Sequence, residues 1–341
     1  MNFFIKIKRF SFIITGLACL GLLFTGFSCQ KKVEDKYTLG IFQINDAPTL
    51  NTVREGFLQC LKDHGLIPGD DIQMIFRNGE GSIPQVQRIA QDFVEMKVDM
   101  IIALSTPCLQ AAIHATQEIP VVFSSVANPV LVGAGISEDN HLKNVTGVSS
   151  RGPIIQNLIF IKEVLPQVKK IGTLWTPAEL NSEYYLDLAY KAAENLGLEL
   201  ISLPIRNSTE VLIAAQTLVN SQVDTLFPIS DNTINAAFEA LGQVAEENKI
   251  PLFGGNLLTT QQGACAAMGW DFFEMGYKAG TLALRIHKGE NPAEIPFEYM
   301  DQVLLYLNLD SARKQGIKFP DNIISRADKI FGEQFSSPLS E

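Results

Sequence analysis

The sequence predicts an α/β protein built from two similar lobes, each a parallel sheet flanked by helices. Three observations carry that prediction. From Tyr37 onward, short apolar runs rich in β-branched residues alternate with longer runs of helical periodicity; glycines punctuate the alternation; and the whole pattern occurs twice. A chain of 341 residues is long enough to give each lobe a proper core.

The chain opens on "MNFFIKIKR", which holds three positive charges and no acid, and continues through the apolar run "FSFIITGLACLGLLFTGF" to Ser28-Cys29. Charged, then apolar, then small is the order of a secretory leader, so residues 1–28 read as a signal peptide. The run is also about long enough to cross a bilayer, and an uncleaved anchor is the competing reading. Cysteine at the junction resembles a bacterial lipobox, which implies lipid attachment to Cys29. Gly26 and Phe27 depart from that motif, and Cys19 competes from inside the apolar run. Either way the protein is expected to be exported and to stay at a membrane. Residues 29–36, "CQKKVEDK", form a polar tether of mixed charge.

The first lobe begins with "YTLGIFQI", a strand. "LNTVREGFLQCLKDHG" comes next, with Val53, Phe57, Leu58 and Leu61 at helical spacing and Gly65 ending the helix. "DIQMIFR" is the next strand, and the three together make a β-α-β unit with its right-handed crossover. The unit recurs as "KKIGTLWTP", "NSEYYLDLAYKAAENLGL" and "ELISLPI", with Gly172 matching Gly40 and Gly197 matching Gly65. The match extends past each copy. Val98-Asp99 falls on Val223-Asp224, Ser105 on Ser230, and Ile119-Pro120 on Ile250-Pro251. In open parallel sheets ligands sit beyond the carboxyl ends of the strands, so the loops "ALSTP" and "PISDN" are expected to meet over one cleft. Two lobes joined by several crossover strands then make a hinge.

The collocations "GFLQCLKDHGL", "LSTPCLQAAIHAT", "IPVVFSSVANPV", "NVTGVS", "LWTPAELNS", "ISDNTI", "IPLFGG" and "LNLDSARKQGIKFP" resemble the solute-binding proteins of ABC transporters. The similar group includes tryptophan- and tyrosine-binding lipoproteins, and the likeness runs from about residue 37 to Pro320. The resemblance implies the type I periplasmic-binding fold: two Rossmann-like lobes joined by a three-crossover hinge. On that expectation the chain crosses near Gly147, returns near Gly263 and crosses last near Gly289. Lobe 1 is then residues 37–147 plus 264–289, and lobe 2 residues 148–263 plus 290–335. The resemblance also implies separate permease and ATPase partners and a small-molecule ligand, most simply an aromatic amino acid. A binding lipoprotein that feeds a signalling receptor is the alternative.

An amino-acid ligand carries an ammonium and a carboxylate, and burying either without a partner costs several kcal/mol. Asp231, at a strand-to-helix loop, is the candidate for the ammonium, with Asn232 in support; equally, Asp231 is a good helix cap. Ser105, Thr106 and the N–H groups that open the next helix are the candidates for the carboxylate, again with capping as the other reading. Ser125 and Asn128 in "SSVANP" belong near the cleft rim, and Asp271 in "MGWDFF" resembles a position that reaches it. Where the similar proteins often carry a His-Pro pair with an acid, this chain has "NDAPTLN", which places Asn45 and Asp46 there. Trp175, Phe227 and Trp270 are candidates to stack on an aromatic ligand, Trp175 foremost because it closes a strand.

The formal net charge of −10, without a basic cluster, argues against a nucleic-acid partner. Cys60, Cys108 and Cys265 are an odd number beyond the leader and read as buried thiols rather than a disulfide framework. His64, His114, His141 and His287 are scattered without metal spacing, and the sequence lacks G-x-S-x-G, G-x-x-x-x-G-K-[ST] and H-E-x-x-H motifs. No cofactor, metal or catalysis is expected.

Overall fold

The computed structural model describes residues 36–332. The leader, Cys19, Cys29 and most of the tether lie outside the described residues. In chain order the elements are β1 (Tyr37–Gln43), α1 (Pro48–Asp63), β2 (Ile72–Asn78), α2 (Ile83–Glu95), β3 (Met100–Leu104), α3 (Thr106–Ala115), β4 (Val121–Val126) and β5 (Val145–Ser149). Then come α4 (Ile154–Val164), β6 (Lys170–Trp175), α5 (Leu180–Leu196), β7 (Glu199–Pro204), α6 (Val211–Asn220), β8 (Thr225–Leu226), α7 (Asn232–Asn235), α8 (Phe238–Asn248), β9 (Phe253–Gly254) and β10 (Ala266–Gly269). The last elements are α9 (Phe272–His287), β11 (Glu298–Tyr299), β12 (Leu304–Asn308), α10 (Leu309–Lys314), α11 (Asp321–Ile324) and β13 (Lys329–Phe331).

Strands β11-β5-β4-β3-β1-β2 form the sheet of lobe 1, and every pair in it is parallel. In lobe 2, β7-β6-β8 continues through a parallel bridge between Leu226 and Leu252 into β9-β10-β12-β13, where only the β10–β12 pair is antiparallel. Each sheet is buried on both faces, as parallel strands covered by crossover helices must be. Phe93 of α2 packs with Phe42 and Phe123 on one face, and Phe57 of α1 and Met275 of α9 pack with Met100 on the other. In lobe 2, Phe160, Tyr185 and Phe253 fill one face and Leu218, Phe238 and Leu241 the other.

The internal repeat is physical. Asp99 Oδ2 accepts the Thr38 N–H at 2.7 Å, and Asp224 Oδ2 accepts those of Lys169 and Lys170 at 2.8 Å, so each Val-Asp pair ties the entry of its lobe's first strand. The carbonyl of Pro120 accepts from Ile101 N–H and that of Pro251 from Leu226 N–H, again in register. Asp328 repeats the device on Leu305, a third copy that the sequence comparison did not find.

The passages between sheets fall beyond the glycines expected to mark them. β5 keeps Val148 and Ser149 in the first sheet, so the chain crosses between Ser149 and Ile154. β10 belongs to the second sheet, which delays the return to Trp270-Asp271; β11 pairs with β5, which delays the last crossing to residues 300–303. The three glycines serve other ends. A Cβ at Gly147 would lie 2.2 Å from the Phe123 carbonyl oxygen, Gly263 ends the 3-10 turn Leu257–Gln262 at φ +108°, and Gly289 follows α9 at φ +97°. Among the described residues no helix is long and apolar enough to cross a membrane.

α9, the element that returns to lobe 1, lies directly on α1. A Cβ on Gly276 would sit 1.9 Å from Val53 O, and one on Gly56 would sit 2.0 Å from Phe273 O. The bare backbones at these two glycines set the helix separation, and with it the position of Phe272 at the mouth of the cleft.

Candidate functional site

The carboxyl ends of both sheets face one small cavity. Thr49, Ser125, Ala127 and Phe272 line it from lobe 1, Ser150 from the first crossing, and Asn181, Tyr185, Ser230, Asn232 and Asn235 from lobe 2. Thr49, Asn181, Asn232 and Phe272 stand at the start of a helix that follows a strand, where helix N-termini and loops meet. Asn45 spans the lobes: its Nδ2 donates to Asn232 O at 2.9 Å while its Oδ1 accepts the Ala47 N–H. Gln43 holds this loop from below through Asn45 O and Asn51 Oδ1, both at 2.8 Å.

Two buried carboxylates stand behind the lobe 2 wall. Asp231 is 1 % exposed and caps α7; its Oδ1 accepts the Ile234 N–H at 2.9 Å and the Thr176 hydroxyl at 3.1 Å. Its Oδ2 is buried without a hydrogen-bond partner. Glu179 is 3 % exposed and precedes α5; its Oε2 accepts from Asn232 Nδ2 at 2.5 Å and Asn181 Nδ2 at 3.1 Å, and its Oε1 accepts the Thr233 hydroxyl at 2.8 Å. Burial pushes the Glu179 carboxyl up to about 7, and the neighbouring Asp231 charge adds to the rise. Burial also raises Asp231, against hydrogen bonds that favour its charged form. Among the described residues neither acid has an ion-pair partner. Asn181, on the cavity wall, also leaves its buried Oδ1 unpartnered.

Of the residues singled out from sequence, Ser125 and Asn232 line the cavity, and Asp231 sits between the lining residues Ser230 and Asn232. Ser125 is held at φ +57°, beside a break in the β4–β5 register. Ser105 and Thr106 are fully buried at the start of α3. Ser105 sits at φ +111°, makes no side-chain cap and leaves its buried Oγ without a partner, while Thr106 Oγ1 accepts the Ala127 N–H at 3.3 Å and braces the rim from behind. Asn128 Oδ1 accepts the Leu131 N–H in a local turn. Asp271 caps α9 by accepting the N–H groups of Phe273 and Glu274, and Asp46 is exposed. Trp175 packs at the edge of a lobe 2 core, Phe227 is wholly inside it, and Trp270 donates its indole N–H to Arg151 O; none of the three lines the cavity. The rings that do are Tyr185, whose hydroxyl donates to Ser150 O at 2.7 Å, and Phe272. Sequence reasoning missed both, together with Glu179 and Asn181. The segments "LWTPAELNS" and "MGWDFF" contain three of the four, but helical periodicity assigns such rings to the core and says nothing of which helix end they occupy. Cys60, Cys108 and Cys265 are free and buried, as expected.

A family model for ABC transporter substrate binding proteins matches residues 38–331. The chain belongs to that family. The substrate-binding protein is 34 % identical over 317 residues to a tyrosine-binding protein of Clostridioides difficile, an alignment that covers 90 % of this chain and 91 % of the relative. Among solved structures, an ABC domain from Streptococcus pneumonia in complex with L-Trp superposes with a TM-score of 0.82 at 25 % identity, covering 87 % of this chain and 100 % of that one. The ligand-free, open structure of a substrate binding protein with adhesive properties from Clostridium difficile gives 0.64 at 30 % identity, over 87 % and 100 % of the two chains. The ligand-bound neighbour superposes better than the open one although it is less identical. The α/β architecture of two sheets and three crossings is that of the type I periplasmic-binding proteins.

Proposed function

We propose that this substrate-binding protein captures an aromatic amino acid, tyrosine or tryptophan, between its lobes and presents the closed form to the permease of an ABC importer. The observation that carries this reading is the pair of unpartnered buried acceptors, Asn181 Oδ1 and Asp231 Oδ2, at a cavity whose lining residues include no cation. Buried acceptors demand donors, and a primary ammonium supplies three N–H bonds together with the missing positive charge. Tyr185 and Phe272 offer the ring faces for an aromatic side chain, each such contact adding about 0.5–1.5 kcal/mol. The likeness to a tyrosine-binding protein and to an L-Trp complex supports the same ligand class.

A ligand that touches both lobes binds the closed state better and shifts the population toward it, which is all the mechanism requires. Asn45 would hold the closed state from lobe 1 through the Asn232 carbonyl. The leader and Cys29 fit export and lipid anchoring on the outer side of the membrane, with permease and ATPase as separate chains. A thermal-shift screen against the twenty amino acids tests the reading. A ligand at about a hundred times its Kd stabilises by roughly 2.7 kcal/mol. Tyrosine or tryptophan should raise the midpoint most, and a response confined to another class of ligand would overturn the assignment.

A further inference from the structure

The Glu179–Asp231 arrangement has a consequence beyond amino-acid capture, and it rests on that reading. Every partner of Glu179 comes from its own lobe: Asn181, Asn232 and Thr233. Asp231 likewise depends on groups of lobe 2: Thr176, Ser182, Thr233 and Ile234. The pair is therefore built into lobe 2 and persists whether the cleft is open or closed. Of Glu179's three side-chain partners, two present amide N–H donors to Oε2, and the Thr233 hydroxyl can turn to accept a proton from Oε1.

We propose that Glu179 and Asp231 act as one cation-recognition pair, which keeps one proton, on Glu179, when the site is free and gives it up to solvent when the ligand's ammonium arrives. Two carboxylates in one dry site cannot both ionise without a counter-charge. The groups that face them support this. From lobe 1 the Cys108 thiol on α3 faces them, pushed up by burial and by Glu179, and brings no positive charge. Tyr185 on α5 is neutral, and Arg151 on the first crossing is exposed and acts on the Tyr185 hydroxyl. Glu183, the other acid in the first turn of α5, is exposed. The ligand's ammonium is thus the missing charge, and its arrival moves the proton from Glu179 Oε1 to water with no change in covalent bonding elsewhere. Glu179 thereby sets specificity for a cation and links affinity to pH.

Calorimetric titration of the purified full-length protein with L-tyrosine and with L-tryptophan, each in two buffers of different ionisation enthalpy, reads the displaced proton directly. Wild type should release protons on binding, with Kd rising toward tenfold per pH unit as the pH falls below about 7. Glu179→Gln, the shape-conserving mimic of the protonated acid, should bind with a Kd that does not change over that range and release no proton. Carboxyl-carbon NMR of the ligand-free protein gives a readout independent of any ligand: one glutamate should titrate near neutrality in wild type and vanish in Glu179→Gln. Thr233→Val, which removes a hydroxyl that donates to the charged carboxylate, should raise that titration further. Binding without proton release, or the absence of a near-neutral glutamate titration, overturns the proton on Glu179 while leaving amino-acid capture intact. If neither amino acid binds, the capture reading and the displacement both fail.

Discussion

Asp231→Asn separates recognition from stability. Asparagine keeps the Oδ1 acceptor used by the Ile234 N–H and the Thr176 hydroxyl, so the cap on α7 survives, while the charge behind the cavity wall is gone. Stripping one member from a buried charged pair costs about 3–5 kcal/mol, so affinity for L-tyrosine should fall at least about 100-fold. The ligand-free protein should respond in the opposite sense. A buried carboxylate beside Glu179 destabilises the folded state, so the variant should unfold at a higher temperature than wild type at a pH of about 8. Titration calorimetry and thermal melts on one preparation read both effects. Affinity within about threefold of wild type would refute the ammonium assignment. A lower melting temperature would refute the claim that the charge is held at a cost.

Glu179 carries a pH signature of its own. Its folded carboxyl titrates at about 7, above the ordinary 4.5, so the folded state holds the proton longer than the unfolded chain does. Stability should therefore fall as pH rises from about 4.5 to 7, and melts of Glu179→Gln should lack that slope. Gly276→Ala would drive a methyl to 1.9 Å from Val53 O, and overpacking at a helix contact should lower unfolding free energy by about 1–3 kcal/mol or more in denaturant titration. Asn157, 2 % exposed, donates to Met268 O and accepts the Met268 N–H. Asn157→Leu leaves both groups of that strand unpaired in a buried setting and should cost about 1–3 kcal/mol by the same measurement.

The double parallel architecture was legible because its causes are local and repeated. Periodic apolar runs, Gly65 and Gly197 closing helices, and the Val-Asp pairs that tie strand entries all recur at matched positions. The crossings were not legible, because a glycine can serve several structural ends that look alike in sequence. Gly147 is needed for close approach to Phe123, Gly263 ends a turn while packed on Gly242, and Gly289 simply ends a helix. In the site, Asp231 stood out as an acid at a strand-to-helix loop. Glu179 did not, since an acid just ahead of a helix looks like ordinary helix chemistry until the fold buries it against Asn232 and Thr233. Trp175 drew attention by its size and its place at a strand end, yet the cavity takes its rings from Tyr185 and Phe272, which are set by helix positions that periodicity cannot resolve.

On the proposed reading, two buried acids behind a cavity with no cation among its lining residues await a ligand that brings an ammonium. Paired calorimetric titrations with L-tyrosine and N-acetyl-L-tyrosine test this most directly, because the acetyl group removes the charge and keeps the ring and the carboxylate. The free amino acid should bind, and acetylation should weaken binding by at least about 100-fold. Equal affinity for the two would contradict the ammonium's role.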